Sequence, residues 1–102
     1  MKCSPELEEL LRVVFKLKSR EVDVLMALCA GEMTVEELSE MLDIDRSTTQ
    51  NYVSGLRKTG LLNRSKDGRK HVYSVNSDVL KEEASEKLEV WSREKKEAIR
   101  EL

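Results

Sequence analysis

At 102 residues, 39% hydrophobic and 37% charged, the chain fits one folded domain with a modest core; disorder is excluded and a separate sensor or catalytic domain is not expected. No apolar run approaches the roughly 20 residues of a membrane span, and Met1–Pro5 leads straight into a charged amphipathic segment, so neither a span nor a signal peptide is expected and the location reads as cytoplasmic. The net charge of -2 hides a segregated pattern: residues 1–43 hold five basic and ten acidic side chains, residues 44–75 seven and two, and residues 76–102 six and eight.

In chain order, Ser4 and Pro5 read as an N-cap with proline at the first helical position, and Leu7, Leu10, Leu11, Val14 and Phe15 recur at helical spacing, predicting a first helix over about 5–17. Ser19 caps a second over about 20–30, with Val22, Leu25, Met26, Leu28 and Cys29 inward and Gly31 suited to the left-handed position after its end. Cys3 and Cys29 are too few and too far apart for a zinc motif, and a reducing interior needs no disulfide, so Cys29 reads as a small buried side chain and Cys3 as an exposed or weakly packed thiol.

Thr34-Val35-Glu36-Glu37 is a capping box opening a third helix over 35–42, with Leu38, Met41 and Leu42 facing inward. Asp43 takes the left-handed turn position where glycine is common, and Asp45 caps a fourth helix over 46–59 that ends at Gly60. Its inner stripe is Thr49, Tyr52, Val53 and Leu56. Leu61–Ser65 and Lys70–Val75 read as two strands joined through Lys66-Asp67-Gly68-Arg69, a hairpin turning on Asp-Gly. Ser77 then caps a last helix over about 78–101, where Leu80, Ala84, Leu88, Trp91, Lys95, Ala98 and Leu102 form a heptad seam interrupted by Lys95.

The fold class expected is therefore α+β, mainly α. Residues 1–77 form a winged helix-turn-helix domain, and residues 78–102 a C-terminal helix that serves as a dimerisation element. Two short helices around a three-residue turn let the first brace while the second presents its outer face to a DNA major groove. On a helical wheel that outer face carries Ser47, Gln50, Asn51, Ser54, Arg57 and Lys58, and Arg46 and Thr48 at the helix start join them as candidate DNA contacts. Gln and Asn hydrogen-bond adenine edges, Ser and Thr reach bases or phosphates, and Arg and Lys neutralise phosphates. Exposed helices elsewhere are rich in glutamate, whereas residues 46–66 contain no acid, so this face is more than an ordinary solvated one. Lys66, Arg69 and Lys70 place cations on the hairpin, where a wing reaches the backbone or minor groove. Arg64 fits either face of its strand, and His71, with no Cys or second His nearby, reads as a strand residue and not a metal ligand.

From Phe15 to Val75 the chain resembles the winged-helix domain of archaeal TrmB-like and related MarR-type transcription regulators. The landmarks are Ser19-Arg20-Glu21, Thr34–Leu38, Asp45–Thr49, Leu56–Leu62 and the basic wing ending in Tyr73. The resemblance implies that Ser47, Thr48, Gln50 and Asn51 contact DNA, that Thr49, Val53 and Leu56 pack inward, and that Arg69 contacts the backbone. Gly55 departs from a good helix, since glycine costs about 1 kcal/mol there relative to alanine. Full-length TrmB-like proteins often carry a C-terminal sugar-binding domain; 102 residues leave no space for one, so sugar sensing is not expected.

The apolar seam of the last helix (Leu80, Ala84, Leu88, Trp91, Ala98, Leu102) and the stripe over 7–15 are more than so small a domain can bury alone, which points to a homodimer with paired recognition helices. Folding of residues 78–102 back onto their own domain is the alternative. One histidine, no phosphate loop and no nucleophile with an evident base argue against an enzyme, and no cofactor is expected. The partner is double-stranded DNA, with any small effector left open. The competing function is a winged helix used as a protein-interaction module in a larger assembly.

Overall fold

The computed structural model describes residues 3–100. In chain order its elements are α1 (Pro5–Val13), α2 (Ser19–Ala30), α3 (Val35–Leu42), α4 (Arg46–Lys58), β1 (Leu62–Asp67), β2 (Lys70–Val75) and α5 (Ser77–Arg100). This is the expected mainly helical winged-helix arrangement with a long C-terminal helix. Most starts follow from local capping. The Ser4 Oγ accepts from the Leu7 N–H at 3.3 Å, and Pro5 at the first helical position needs no N–H partner. Thr34 and Glu37 close their capping box with reciprocal bonds of 3.2 Å. Asp43 ends α3 at φ 52°, ψ 47°, in the left-handed position expected of it.

Several boundaries differ from the reading above. The first helix stops at Val13 and not near 17, because Lys16 turns left-handed at φ 56°; Phe15 and Leu17 still reach the core, but from an irregular loop. Helix α2 begins at Ser19 itself. Its cap position is Lys18, whose backbone N–H donates to the Glu21 carboxylate at 3.0 Å. Gly31 is extended (φ 166°) rather than left-handed, since the chain runs directly into a bridge in which Met33 and Tyr73 exchange backbone hydrogen bonds of 3.0 and 2.8 Å.

Asn76, one residue before the expected Ser77, caps α5: its Oδ1 accepts from the Val79 N–H at 3.2 Å. Asp67 belongs to β1 and pairs with Lys70, so the turn is Gly68-Arg69, with positive φ (65°) at Gly68. A two-residue turn with its first position at positive φ matches the twist of the strands it joins.

The core gathers Leu11, Val22, Val24, Leu25, Leu28, Val35, Leu38, Val53, Leu56, Leu61, Leu62, Tyr73 and Leu80. Met41, expected inside, is 59% exposed: α3 has two turns, and Val35, Leu38 and Leu42 already fill its inner stripe. The two cysteines are not free. Cys3 and Cys29 are bonded as a disulfide, their Cα atoms 5.8 Å apart, because packing of α1 on α2 returns the chain start to the end of α2.

Helix α5 is anchored by Leu80 and, beside it, Val79. Beyond that turn it runs past the Val14–Phe15 loop, where the Lys87 Nζ lies 5.6 Å from the Phe15 ring centre. At 24 residues the helix is about 36 Å long, and the molecule measures 56 × 25 × 23 Å.

Candidate nucleic-acid interface

Helix α4 divides cleanly in two. Thr49, Val53 and Leu56 are buried, and Thr49, fully enclosed, donates its hydroxyl to the Asp45 carbonyl at 2.9 Å. That bond satisfies a polar group that would otherwise destabilise the core. The rotation of α4 about its axis is thereby set, and Arg46, Ser47, Gln50, Asn51, Arg57 and Lys58 lie on the exposed side. Thr48 and Ser54 are half-buried at the edges.

The N-terminal end is held tightly. Asp45 accepts from the Thr48 backbone N–H at 3.0 Å, the Thr48 hydroxyl at 2.7 Å and the Ser47 hydroxyl at 3.3 Å. The Thr48 hydroxyl, then its N–H, hold the Asp45 carboxyl below the ordinary carboxylate range. One consequence is that the Ser47 and Thr48 hydroxyls are turned toward their own cap. Arg46 pairs with Glu36 of α3 at 2.7 Å. Glu36 also titrates low, chiefly through the hydrogen bond from its own backbone amide, with Arg46 contributing. Both partners are exposed, so the pair adds little stability; it links the two helices of the motif and orients Arg46. Further along, Gln50 donates to the Ser54 hydroxyl at 3.1 Å.

The wing stands beside this face. Leu62 pairs with Val75, Arg64 with Tyr73 and Lys66 with His71, and cross-strand partners share a side of a hairpin. Tyr73 and Leu62 are buried, so Arg64 and Lys66 lie on the side that faces the domain. Two recesses result. One, at the start of α4, is bordered by Glu36 of α3, by Arg46 and Gln50 and by Arg69, Lys70 and His71. The other is bordered by Gln50, Ser54, Arg57 and Lys58 and by Arg64. Gln50 and Tyr73 line both, joining helix and hairpin into one surface.

Arg64 and His71 are the site residues that sequence reasoning undervalued. Their side of the hairpin follows only from the strand register, in which Arg64 faces Tyr73 and His71 faces Lys66. Lys66 is exposed and borders neither recess. Among the described residues, no cluster of His, Cys, Asp and Glu could hold a metal ion, and no helix is long and apolar enough to cross a membrane.

A brace helix, a turn at positive φ, an acid-free second helix and a basic hairpin packed beside it define a winged helix-turn-helix protein. The chain belongs to the TrmB family of transcriptional regulators: the model described as "Sugar-specific transcriptional regulator TrmB" matches residues 11–77. It is a regulator's fold and family, not an enzyme's. An uncharacterised protein of Methanocaldococcus jannaschii is 32% identical over 91 residues, covering 83% of this chain and 76% of that one. The transcriptional activator HlyU of Vibrio cholerae is 31% identical over 62 residues, 61% of this chain and 57% of the activator's length. Among solved structures, a Sulfolobus tokodaii protein superimposes with a TM-score of 0.74 at 26% identity, covering 96% of this chain and 99% of its own.

Proposed function

We propose that the protein is a sequence-specific, double-stranded DNA-binding transcriptional regulator that acts as a homodimer. In this reading α4 enters the major groove, where Gln50 and Asn51 read base edges, and Arg46, Ser47, Thr48, Ser54, Arg57 and Lys58 position the helix on the backbone. The wing, through Arg64, Lys66, Arg69 and Lys70, neutralises phosphates on the flank or in the adjacent minor groove.

The observation that carries this reading is the merging of α4 and the hairpin around Gln50 into one cationic surface, in a chain whose total charge is negative. On this surface acids are few, Glu36 paired with Arg46 and Asp45 and Asp67 at its edges, while most lie on α1–α3 and α5, which suits a specific regulator better than a general coat. Dimerisation is supported by the outer part of α5, which leaves Leu88, Val90 and Ile99 exposed, together with Val13 of α1. Leu80, the first seam residue, is taken up by the domain's own core. The surface offered to a second copy therefore begins at Ala84 and runs through Leu88, Trp91 and Ala98; Leu102 lies outside the described residues. Two protomers so joined present recognition helices to half-sites about 34–36 Å apart.

Selection of bound sites from a pool of random duplexes tests this reading. An inverted repeat is expected from the full chain. Gln50→Ala or Asn51→Ala should relax preference at particular positions, and Arg69→Ala should weaken all sites alike. Recovery of no enriched sequence would favour a protein-interaction module.

A further inference from the structure

The Cys3–Cys29 disulfide spans 26 residues of chain and fastens the start of α1 to the last turn of α2. Cys3 is exposed and Cys29 half-buried, so a small thiolate can reach the bond from the Cys3 side. Helix α1 has nine residues and Leu11 as its buried one, well short of the length at which a helix is stable alone. Its placement therefore depends on packing and on this bond. Directly after α1, Val14 and Phe15 form one wall of a groove whose other wall is Lys87, Val90 and Trp91 of α5, with the Lys87 Nζ over the Phe15 ring. Whatever frees the start of α1 loosens the Val14–Phe15 wall of that groove.

Disulfides that persist are uncommon in the reducing compartments where most regulators meet DNA, and those found there are mostly transient or redox-sensing. We propose that Cys3 and Cys29 form a reversible redox site: the disulfide holds α1 on α2, and with it the Val14–Phe15 wall of the groove along α5, in the DNA-competent dimer, and its reduction lowers DNA affinity. The inference rests on the DNA-binding, dimeric reading above. The oxidant is a low-molecular-weight disulfide of the glutathione class. The Cys3 thiolate attacks it, forming a mixed disulfide and expelling one small thiolate. The Cys29 thiolate then attacks the Cys3 sulfur and expels the second. Two protein thiols thus lose two electrons and two protons, and one small disulfide becomes two thiols; excess dithiol reverses both steps.

The test uses the full chain, treated with dithiothreitol or with oxidised glutathione, its free thiols counted in each state and its affinity for a labelled mixed-sequence duplex measured. Two free thiols and about tenfold weaker binding are expected after reduction, with recovery on reoxidation. Cys3→Ser, a change at an exposed position ahead of α1, should remain at the reduced-state affinity under both treatments. Equal affinity in the two states of the wild-type chain overturns the proposal, even if the melting temperature falls, since the bond is then a structural staple. Failure of oxidised glutathione to close the bond, or a redox response that Cys3→Ser retains, overturns it as well. Absence of duplex binding in both states instead overturns the proposed function, and this inference with it.

Discussion

Replacing Arg64 with alanine removes one cation from the wall between α4 and the wing, where it lies with Gln50, Ser54, Arg57 and Lys58. Arg64 is an exposed side chain on a strand whose pairing with Tyr73 is made by backbone, so the fold should tolerate the change. Each phosphate neutralised contributes about -0.9 to the slope of log affinity against log salt. A dimer carries two copies of Arg64, so the variant's slope should be shallower by about 1.8. Between 50 and 200 mM salt, log concentration changes by about 0.6, so wild type should lose about tenfold more affinity than the variant over that range. Fluorescence anisotropy of a labelled duplex at four salt concentrations measures this. Arg93→Ala is the control, because Arg93 pairs with Glu89 on α5 at 3.3 Å, away from the proposed interface. An Arg64→Ala slope equal to wild type, or an equal flattening by Arg93→Ala, would refute the placement of DNA against this wall.

Leu38 is fully buried in the brace helix, so Leu38→Ala should destabilise the fold by about 3 kcal/mol. In a domain of this size that lowers the melting temperature by about 12–24 °C; a loss under about 1 kcal/mol would contradict the core described. Asp45 titrates below its ordinary 3.8 and Glu36 below its ordinary 4.5. Stability from both should be complete above those ordinary values and lost as pH falls through the depressed folded ones. Asp45→Asn keeps a good cap but should flatten the acid limb of urea midpoints plotted against pH; an unchanged limb would show that Asp45 is not responsible. Leu88 and Ile99 are 41% and 69% exposed, and the double substitution Leu88→Glu with Ile99→Glu should halve the mass measured by sedimentation. A surviving dimer would move the interface off α5.

Much of what depends on neighbours within about four positions was readable, the caps at Lys18 and Asn76 and the extended Gly31 being the exceptions. The Thr34–Glu37 box, the Asp43 turn, the Asp45 cap and the inward stripe of Thr49, Val53 and Leu56 all follow from local hydrogen-bond chemistry or helical period, and all occur as expected. The larger misreadings have a different cause. Phe15 and Leu17 continue an apolar period beyond the end of α1, because packing demands apolar residues whether or not the backbone remains helical. Met41 is apolar yet exposed, since α3 is short and its stripe already full. The Cys3–Cys29 bond depends on how two helices dock, and a 26-residue separation carries no sign of it. Arg64 required knowledge of the strand register, because β1 is exposed after Leu62 and shows no alternation of polarity by which to orient it.

Amide chemical-shift mapping of the labelled chain during addition of a DNA duplex tests the central claim most directly. The changes should concentrate in Arg46–Lys58 and across Leu62–Val75, strongest near Gln50 and the Gly68-Arg69 turn, with the distal half of α5 unaffected. Changes confined to α5 or to the exposed side of α3 around Met41, with α4 silent, would contradict it.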